Sequence, residues 1–200
     1  YGDHRGLHSF PTRRSSDLLS LFVGALVGLL IALFCTPRVV EYVETIDIKA
    51  NSASVYDAIR YQRDLMQWSA WPSETGSECK VAGDDGEVGA QTVFFDKKGN
   101  RFGHQSVSNL SPIREVSFTL ESKGPPHVPT LTFNLVEMGE DSTRVLLSFR
   151  NDVTPPFHLI QRLIGITRWT REMHCKDLDG LKRFLEKRET YTGEPLAKAA

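Results

Sequence analysis

The histidines are the residues of this sequence best suited to acid–base or metal chemistry. His104, His127, His158 and His174 lie far apart, and no paired carboxylates accompany them at a spacing that would build a metal site. The sequence has no G-x-S-x-G motif, no glycine-rich phosphate loop and no HExxH motif. We therefore expect no metal and no cofactor. Whether the chain is an enzyme stays open, with a non-catalytic role favoured.

His104 is the one candidate catalytic residue. It belongs to a strand predicted over residues 101–110, in which neither face is plainly apolar. If His104 points inwards, it could act as an acid, a base or a hydrogen-bond donor to a ligand. If it points outwards, it is a solvent-facing histidine, and this is favoured because no carboxylate is evidently placed to orient it. With the opposite parity, Arg101 or Gln105 takes the inward position.

The elements that must position such residues are mainly β-strands. A two-residue periodicity predicts strands over residues 41–49, 78–82, 90–97, 101–110, 115–121, 130–137 and 143–151. Turn signals rich in Gly, Asp, Asn and Pro separate most of them. The strands with the clearest alternation place apolar residues on one face and polar residues on the other, as in an antiparallel sheet covered on one side. Their predicted inward sets are Val116, Phe118, Leu120; Leu131, Phe133, Leu135; and Val145, Leu147, Phe149, with Val93 and Phe95 on the same face.

Helices are predicted before and after this run of strands. Asn51 or Ser52 caps a short helix, and an aromatic corner containing Trp68 and Trp71 follows it. After the last strand, residues 157–166 form a short amphipathic helix, and residues 167–189 form a long one whose buried side includes Trp169 and Met173. One helix can cover so long a sheet only by lying in its concavity. That arrangement encloses an elongated apolar space suited to a ligand.

The first residues do not enter the fold prediction. Residues 1–18 resemble the translation of a sequencing adapter, YGDHRDLHSFPTRRSSDL, and depart from it only at Gly6. We therefore treat residues 1–17 as a disordered artefact, and we expect the native N-terminus to be missing.

The segment that follows is long and apolar. Residues 18–34 carry no charge, and a transmembrane helix is predicted over residues 18–36, followed by a linker over residues 37–42. A buried core helix and a cleaved signal peptide are the alternatives. Few Lys or Arg residues follow the segment, which favours a single-pass protein whose domain lies outside the cytoplasm.

Composition excludes several classes of protein. The chain is 40% hydrophobic with a formal net charge of −1, which indicates a globular protein and argues against a nucleic-acid partner. The three cysteines argue against a disulfide framework or a zinc site, and they leave open one pair between Cys79 and Cys175.

The order of these elements resembles a known superfamily. The strand from Val43, the Trp68-Ser69-x-Trp71 corner and the segment from Lys176 to Lys182 are similar to START-like helix-grip (SRPBCC) proteins, in particular the polyketide cyclase/dehydrase and lipid-transport branch. The resemblance covers about residues 41–189. It implies an α+β helix-grip fold over residues 43–189, with a curved antiparallel sheet of six or seven strands around the C-terminal helix and a flexible tail over residues 190–200. A membrane helix before such a domain resembles an arrangement seen in bacterial members.

The resemblance does not fix one function. The leading hypothesis is a membrane-tethered module that binds or transports an apolar small molecule or lipid. The alternatives are a polyketide cyclase/dehydratase-like enzyme and a non-catalytic module that binds or regulates a partner protein. The aromatic corner could close a cavity or be purely structural, and the strand phenylalanines could line a cavity or only pack the core. The candidate ligand-binding residues are Trp68, Trp71, Phe95, His104, Phe118, Phe133, Phe149, Trp169 and Met173.

Overall fold

The computed structural model describes residues 13–124 and 127–192, which divide into two units at residues 37 and 38. The adapter-like residues 1–12 and the tail from residue 193 lie outside the described residues. In the first unit, helix α1 (Arg13–Cys35) begins inside the adapter-like segment. Residues 17–35 of this helix are long and apolar enough to cross a membrane, a test that a signal sequence also passes.

The second unit contains a seven-stranded antiparallel sheet in the order β1-β7-β6-β5-β4-β3-β2. This confirms the predicted architecture and puts the strand count at the upper of the two expected values. The strands are β1 (Val39–Ile48), β2 (Glu78–Ala82), β3 (Gln91–Phe95), β4 (Arg101–Ser111), β5 (Glu115–Ser122), β6 (Thr130–Gly139) and β7 (Ser142–Asp152).

Five helices accompany the sheet among the described residues of this unit: α2 (Ser52–Arg60), α3 (Gln62–Trp68), α4 (Trp71–Thr75), α5 (Phe157–Leu163) and α6 (Ile166–Thr192). Asn51 caps α2 as predicted, since its side chain accepts a hydrogen bond from the Ser54 backbone N–H at 2.8 Å. Gly165 separates α5 from α6 with a φ of +73°, a conformation that favours glycine. Helix α6 continues through residues 190–192, which were expected to belong to the flexible tail.

The long helix lies against the concave face of the sheet. Leu178, Leu181 and Leu185 of α6 share one core with Phe118 and Leu147 of the sheet. The helix also approaches α3 closely, and Gly180 makes this approach possible. A Cβ atom at Gly180 would lie 2.1 Å from the carbonyl oxygen of Trp68, so any other residue would push the helix away.

One predicted parity is wrong. The pairs Thr92–Gln105 and Gln105–Leu120 put Thr92 and Phe94 on the inner face of β3, and so turn Val93 and Phe95 outwards. The Phe95 ring instead lies 5.1 Å from the Lys80 ammonium on the outer side. The error arises because Val93-Phe94-Phe95 is a continuous apolar run, which has no alternation from which to derive parity. The three cysteines are all free, so no Cys79–Cys175 bond is formed.

Candidate ligand-binding site

A cavity of about 370 Å³ lies between the concave face of the sheet and the helices around the aromatic corner. This volume falls within the range of about 300–1,000 Å³ found for small-molecule sites. The wall is mainly apolar and aromatic. Its apolar members include Leu65, Trp68, Trp71, Phe94, Phe102, Leu120, Leu131, Phe133, Phe149, Ile166 and Trp169.

The structure brings together most of the predicted ligand contacts. Those that line the cavity are Trp68, Trp71, His104, Phe133, Phe149 and Trp169. Phe95, Phe118 and Met173 lie outside this lining. Phe95 points to the outer face, and its neighbour Phe94 lines the cavity in its place. Phe118 is fully buried in the core, where its ring meets that of Phe133 edge to face at 6.0 Å, and Met173 is 1% exposed. The role of all nine as ligand contacts stays a prediction.

The aromatic corner is held to α6 by one buried carboxylate. Asp177 accepts hydrogen bonds from the Ser69 hydroxyl at 3.0 Å, the Ala70 backbone N–H at 2.7 Å and the Trp71 indole N–H at 3.0 Å. Burial raises the pKa of Asp177 to about 6, although these three hydrogen bonds act in the opposite direction. Trp71 therefore has a structural role in addition to lining the cavity. Sequence analysis did not single out Asp177, because its partners are more than a hundred residues away.

Another titratable side chain of the wall, His174, is hydrogen-bonded to Tyr42, which lies behind the lining. The Tyr42 hydroxyl lies 2.9 Å from Nδ1 of His174, which is 1% exposed. Burial lowers the pKa of His174 to about 4, so the ring is neutral at pH 7. Burial, assisted by Glu44 and Cys175, raises the pKa of Tyr42 above its usual range. The His174 ring also packs on Phe149, with ring centroids 5.1 Å apart.

His104 borders the cavity, but the strand register turns it outwards, which is the alternative that the sequence favoured. Its strand pairs it with Val93 on one side and Glu121 on the other, which places it on the outer face of β4. Its Nε2 lies 3.8 Å from the Glu121 carboxylate, so a carboxylate does face it, contrary to the sequence-based expectation. Gln105 points inwards from β4 instead, as the sequence analysis allowed if the alternation of this strand is reversed.

Four polar side chains in the lining have buried atoms without a partner in the protein. These atoms are Nε2 of Gln105, Nδ1 of His127, Oδ1 of Asn151 and Nε2 of His174. Asn151 could have been found from the sequence, because it continues the inward set of β7 after Phe149. The Nε2 atom of His127 lies 3.3 Å from the Gln161 amide nitrogen. No metal-binding group of three His, Cys, Asp or Glu residues occurs among the described residues.

The architecture and the cavity together define an α+β protein whose curved sheet grips one long helix. No family model and no curated protein matches the sequence. Among solved structures, a norcoclaurine synthase point mutant from Thalictrum flavum superimposes with a TM-score of 0.58 at 13% identity, covering 76% of this chain and 96% of that one. Proteins from Nitrosospira multiformis (TM-score 0.53, 19% identity, 74% and 99% coverage) and Chromobacterium violaceum (TM-score 0.52, 18% identity, 75% and 99% coverage) are similar. The chain thus has the helix-grip fold of these structures, which is the fold that the sequence resemblance implied.

Proposed function

We propose that this protein is a membrane-tethered module that binds an apolar small molecule or lipid between its sheet and α6. The observation that carries the proposal is the cavity of about 370 Å³ with a wall of aromatic and aliphatic side chains. A ligand that covers this wall removes apolar surface from water, which is worth about 25 cal/mol per Å². A second norcoclaurine synthase structure of this fold (TM-score 0.54, 14% identity) holds dopamine and hydroxybenzaldehyde, which lends support to a small-molecule ligand here.

The surface beside the cavity supports an exchange of ligand with a membrane. Ile160, Leu163 and Ile164 of α5 are 48%, 89% and 62% exposed. Just after them, Ile166 and Trp169 are partly exposed and also line the cavity. An apolar surface that continues into the cavity wall, with Arg162 and Arg168 nearby, has the composition of an interfacial membrane contact.

The domain is proposed to lie outside the cytoplasm, because few Lys or Arg residues follow α1.

A second candidate function is acid–base catalysis in the same cavity. The observation that favours it is the Tyr42–His174 pair, since in the tautomer whose Nδ1–H donates to the Tyr42 hydroxyl, Nε2 of the neutral imidazole can accept a proton from a bound substrate. His104 is less suited to this role than His174, because the strand register turns it outwards. A reaction of the cyclase or dehydratase type would lose far more of its rate than of its ligand affinity in His174→Gln.

The test of the binding proposal is mass spectrometry of the organic extract from full-length protein purified in mild detergent. Leu120→Trp fills the cavity, and Val136→Trp is the control because Val136 lies on the outer face of β6 and is 46% exposed. We expect an apolar compound to accompany the wild type and Val136→Trp and to be lost from Leu120→Trp. A wild-type protein that carries no such compound and binds none when one is supplied would rule out the proposal.

A further inference from the structure

The polar part of the cavity wall carries information about the ligand, on the assumption that the proposed binding function is correct. Gln105, Asn151 and His174 are each more than nine-tenths buried, with exposures of 7%, 7% and 1%. Each lines the cavity, and each has a buried polar atom with no hydrogen-bond partner in the protein. Buried polar atoms in proteins are almost always paired, so the exceptions at these three deeply buried side chains of one cavity indicate groups that a ligand completes.

The three groups lie at separate places in the wall. Gln105 pairs with Leu120 across β4 and β5, and the Leu120 N–H donates to the Pro129 carbonyl oxygen at 2.9 Å. Thr130 of β6 pairs with Arg150 of β7 in an antiparallel register. Pro129, which precedes Thr130, therefore lies opposite Asn151, which follows Arg150. Gln105 and Asn151 thus belong to one row across the sheet, three strand spacings of about 4.8 Å apart. His174 lies on α6, and its ring packs on Phe149. Phe149 is two residues before Asn151 and lies on the same face of β7.

The charges around the cavity restrict the ligand further. None of the described lining residues is Lys or Arg. Asp177 already accepts three hydrogen bonds, and Glu121 has a 58% exposed side chain beside His104. His174 is uncharged at neutral pH because burial lowers its pKa to about 4, and burial also lowers the pKa of His127 from its ordinary value. The wall therefore offers no cation for a carboxylate or phosphate, and no free buried carboxylate for an ammonium group.

We infer that the ligand is an uncharged molecule with an apolar framework and hydrogen-bonding oxygen groups, placed to meet Gln105 at one end of the cavity and Asn151 with His174 at the other. The Gln105 amide N–H donates to a ligand oxygen, and the Asn151 carbonyl oxygen accepts from a ligand hydroxyl. With the Tyr42 hydroxyl donating to Nδ1, the neutral His174 ring carries its proton on Nε2, which donates to a ligand oxygen. Phenols, alcohols and ketones on a ring or isoprenoid framework belong to this class. Free fatty acids and phospholipids do not.

Four probes with one common ring system test the inference by calorimetry on the full-length protein in lipid nanodiscs. They are naphthalene, 2-naphthol, 2-naphthoate and (2-naphthylmethyl)ammonium. Protein-free nanodiscs and the Leu120→Trp variant measure partition into lipid. We expect 2-naphthol to bind about tenfold more tightly than naphthalene and than either charged probe, because only 2-naphthol supplies an uncharged hydrogen-bonding group.

Near-isosteric apolar variants locate the effect. Gln105→Met and Asn151→Leu remove an unpaired polar group while they keep most of the side-chain volume. At least one of them should weaken 2-naphthol about threefold to tenfold while naphthalene binds as well or better. Equal affinity for naphthalene and 2-naphthol, or preference for a charged probe, would overturn the inference and leave the binding function standing. Failure of every probe to exceed the Leu120→Trp background would instead count against the binding function itself.

Discussion

The concave face of the sheet has two halves that use the same strands in different ways. Towards one end, inward residues such as Val116, Phe118 and Leu147 are fully buried under α2 and the second half of α6. Towards the other end, the next inward residues of the same strands, such as Leu120 and Phe149, face a cavity. The two halves differ in what covers them, because α6 begins only after the break at Gly165 and Asp177 holds the corner around Trp71 to α6. The cavity wall is thus the part of the apolar inner face of the sheet that no helix packs against directly.

The largest expected effect is a difference in the stability lost when either of two leucines on neighbouring strands is replaced by alanine. Leu147→Ala in the filled half should lower the free energy of unfolding by about 3–4 kcal/mol, because a new cavity opens in close-packed surroundings. Leu131→Ala in the cavity half should lower it by only about 1–2 kcal/mol, because Leu131 already borders free space and has fewer contacts to lose. Urea denaturation followed by circular dichroism measures both. Equal losses would mean that the two halves are packed alike.

Sequence analysis predicted this sheet well where each strand has one apolar and one polar face. It placed Phe133 and Leu147 correctly because Thr132, Asn134 and Ser148 alternate with them. It assigned the wrong face to the residues of β3, because a continuous apolar run does not show which side chains point inwards. It could not separate the two halves either, since Phe118 and Leu120 obey the same alternation although one is core and the other is cavity wall. That difference depends on where α6 begins and on how Asp177 holds the corner, and neither follows from local periodicity.

The second-largest effect concerns the pH dependence of stability, to which Asp177 and His174 in the cavity half contribute with opposite signs. The pKa of Asp177 rises from 3.8 to about 6 on folding, so its contribution to stability is lost as the pH rises through this interval. The pKa of His174 falls from 6.5 to about 4, so its contribution is lost as the pH falls from 6.5 towards 4. Between pH 4 and 6 the two slopes, each about 1.4 kcal/mol per pH unit, cancel in the wild type.

Single substitutions should reveal each slope. Asp177→Asn should become less stable as the pH falls from 6 to 4.5, and His174→Gln should become less stable as the pH rises over the same interval. Urea denaturation at several pH values measures this dependence. Leu147→Ala is the control, since it lowers stability at every pH without altering the slope. Two variants that keep the wild-type pH dependence would show that neither group titrates as its burial requires.

The smallest effect on stability, and the most direct test of how the cavity half meets its surroundings, concerns α5. Leu163→Trp replaces a side chain that is 89% exposed, and should change the free energy of unfolding by less than about 0.5 kcal/mol. With the full-length protein in vesicles of lipids brominated in their acyl chains, the added tryptophan fluorescence should be quenched if α5 touches the bilayer. Val136→Trp on the outer face of the sheet should retain its added fluorescence. Equal quenching in the two variants would contradict a bilayer contact of α5. Its exposed apolar surface would then indicate a contact with a protein partner.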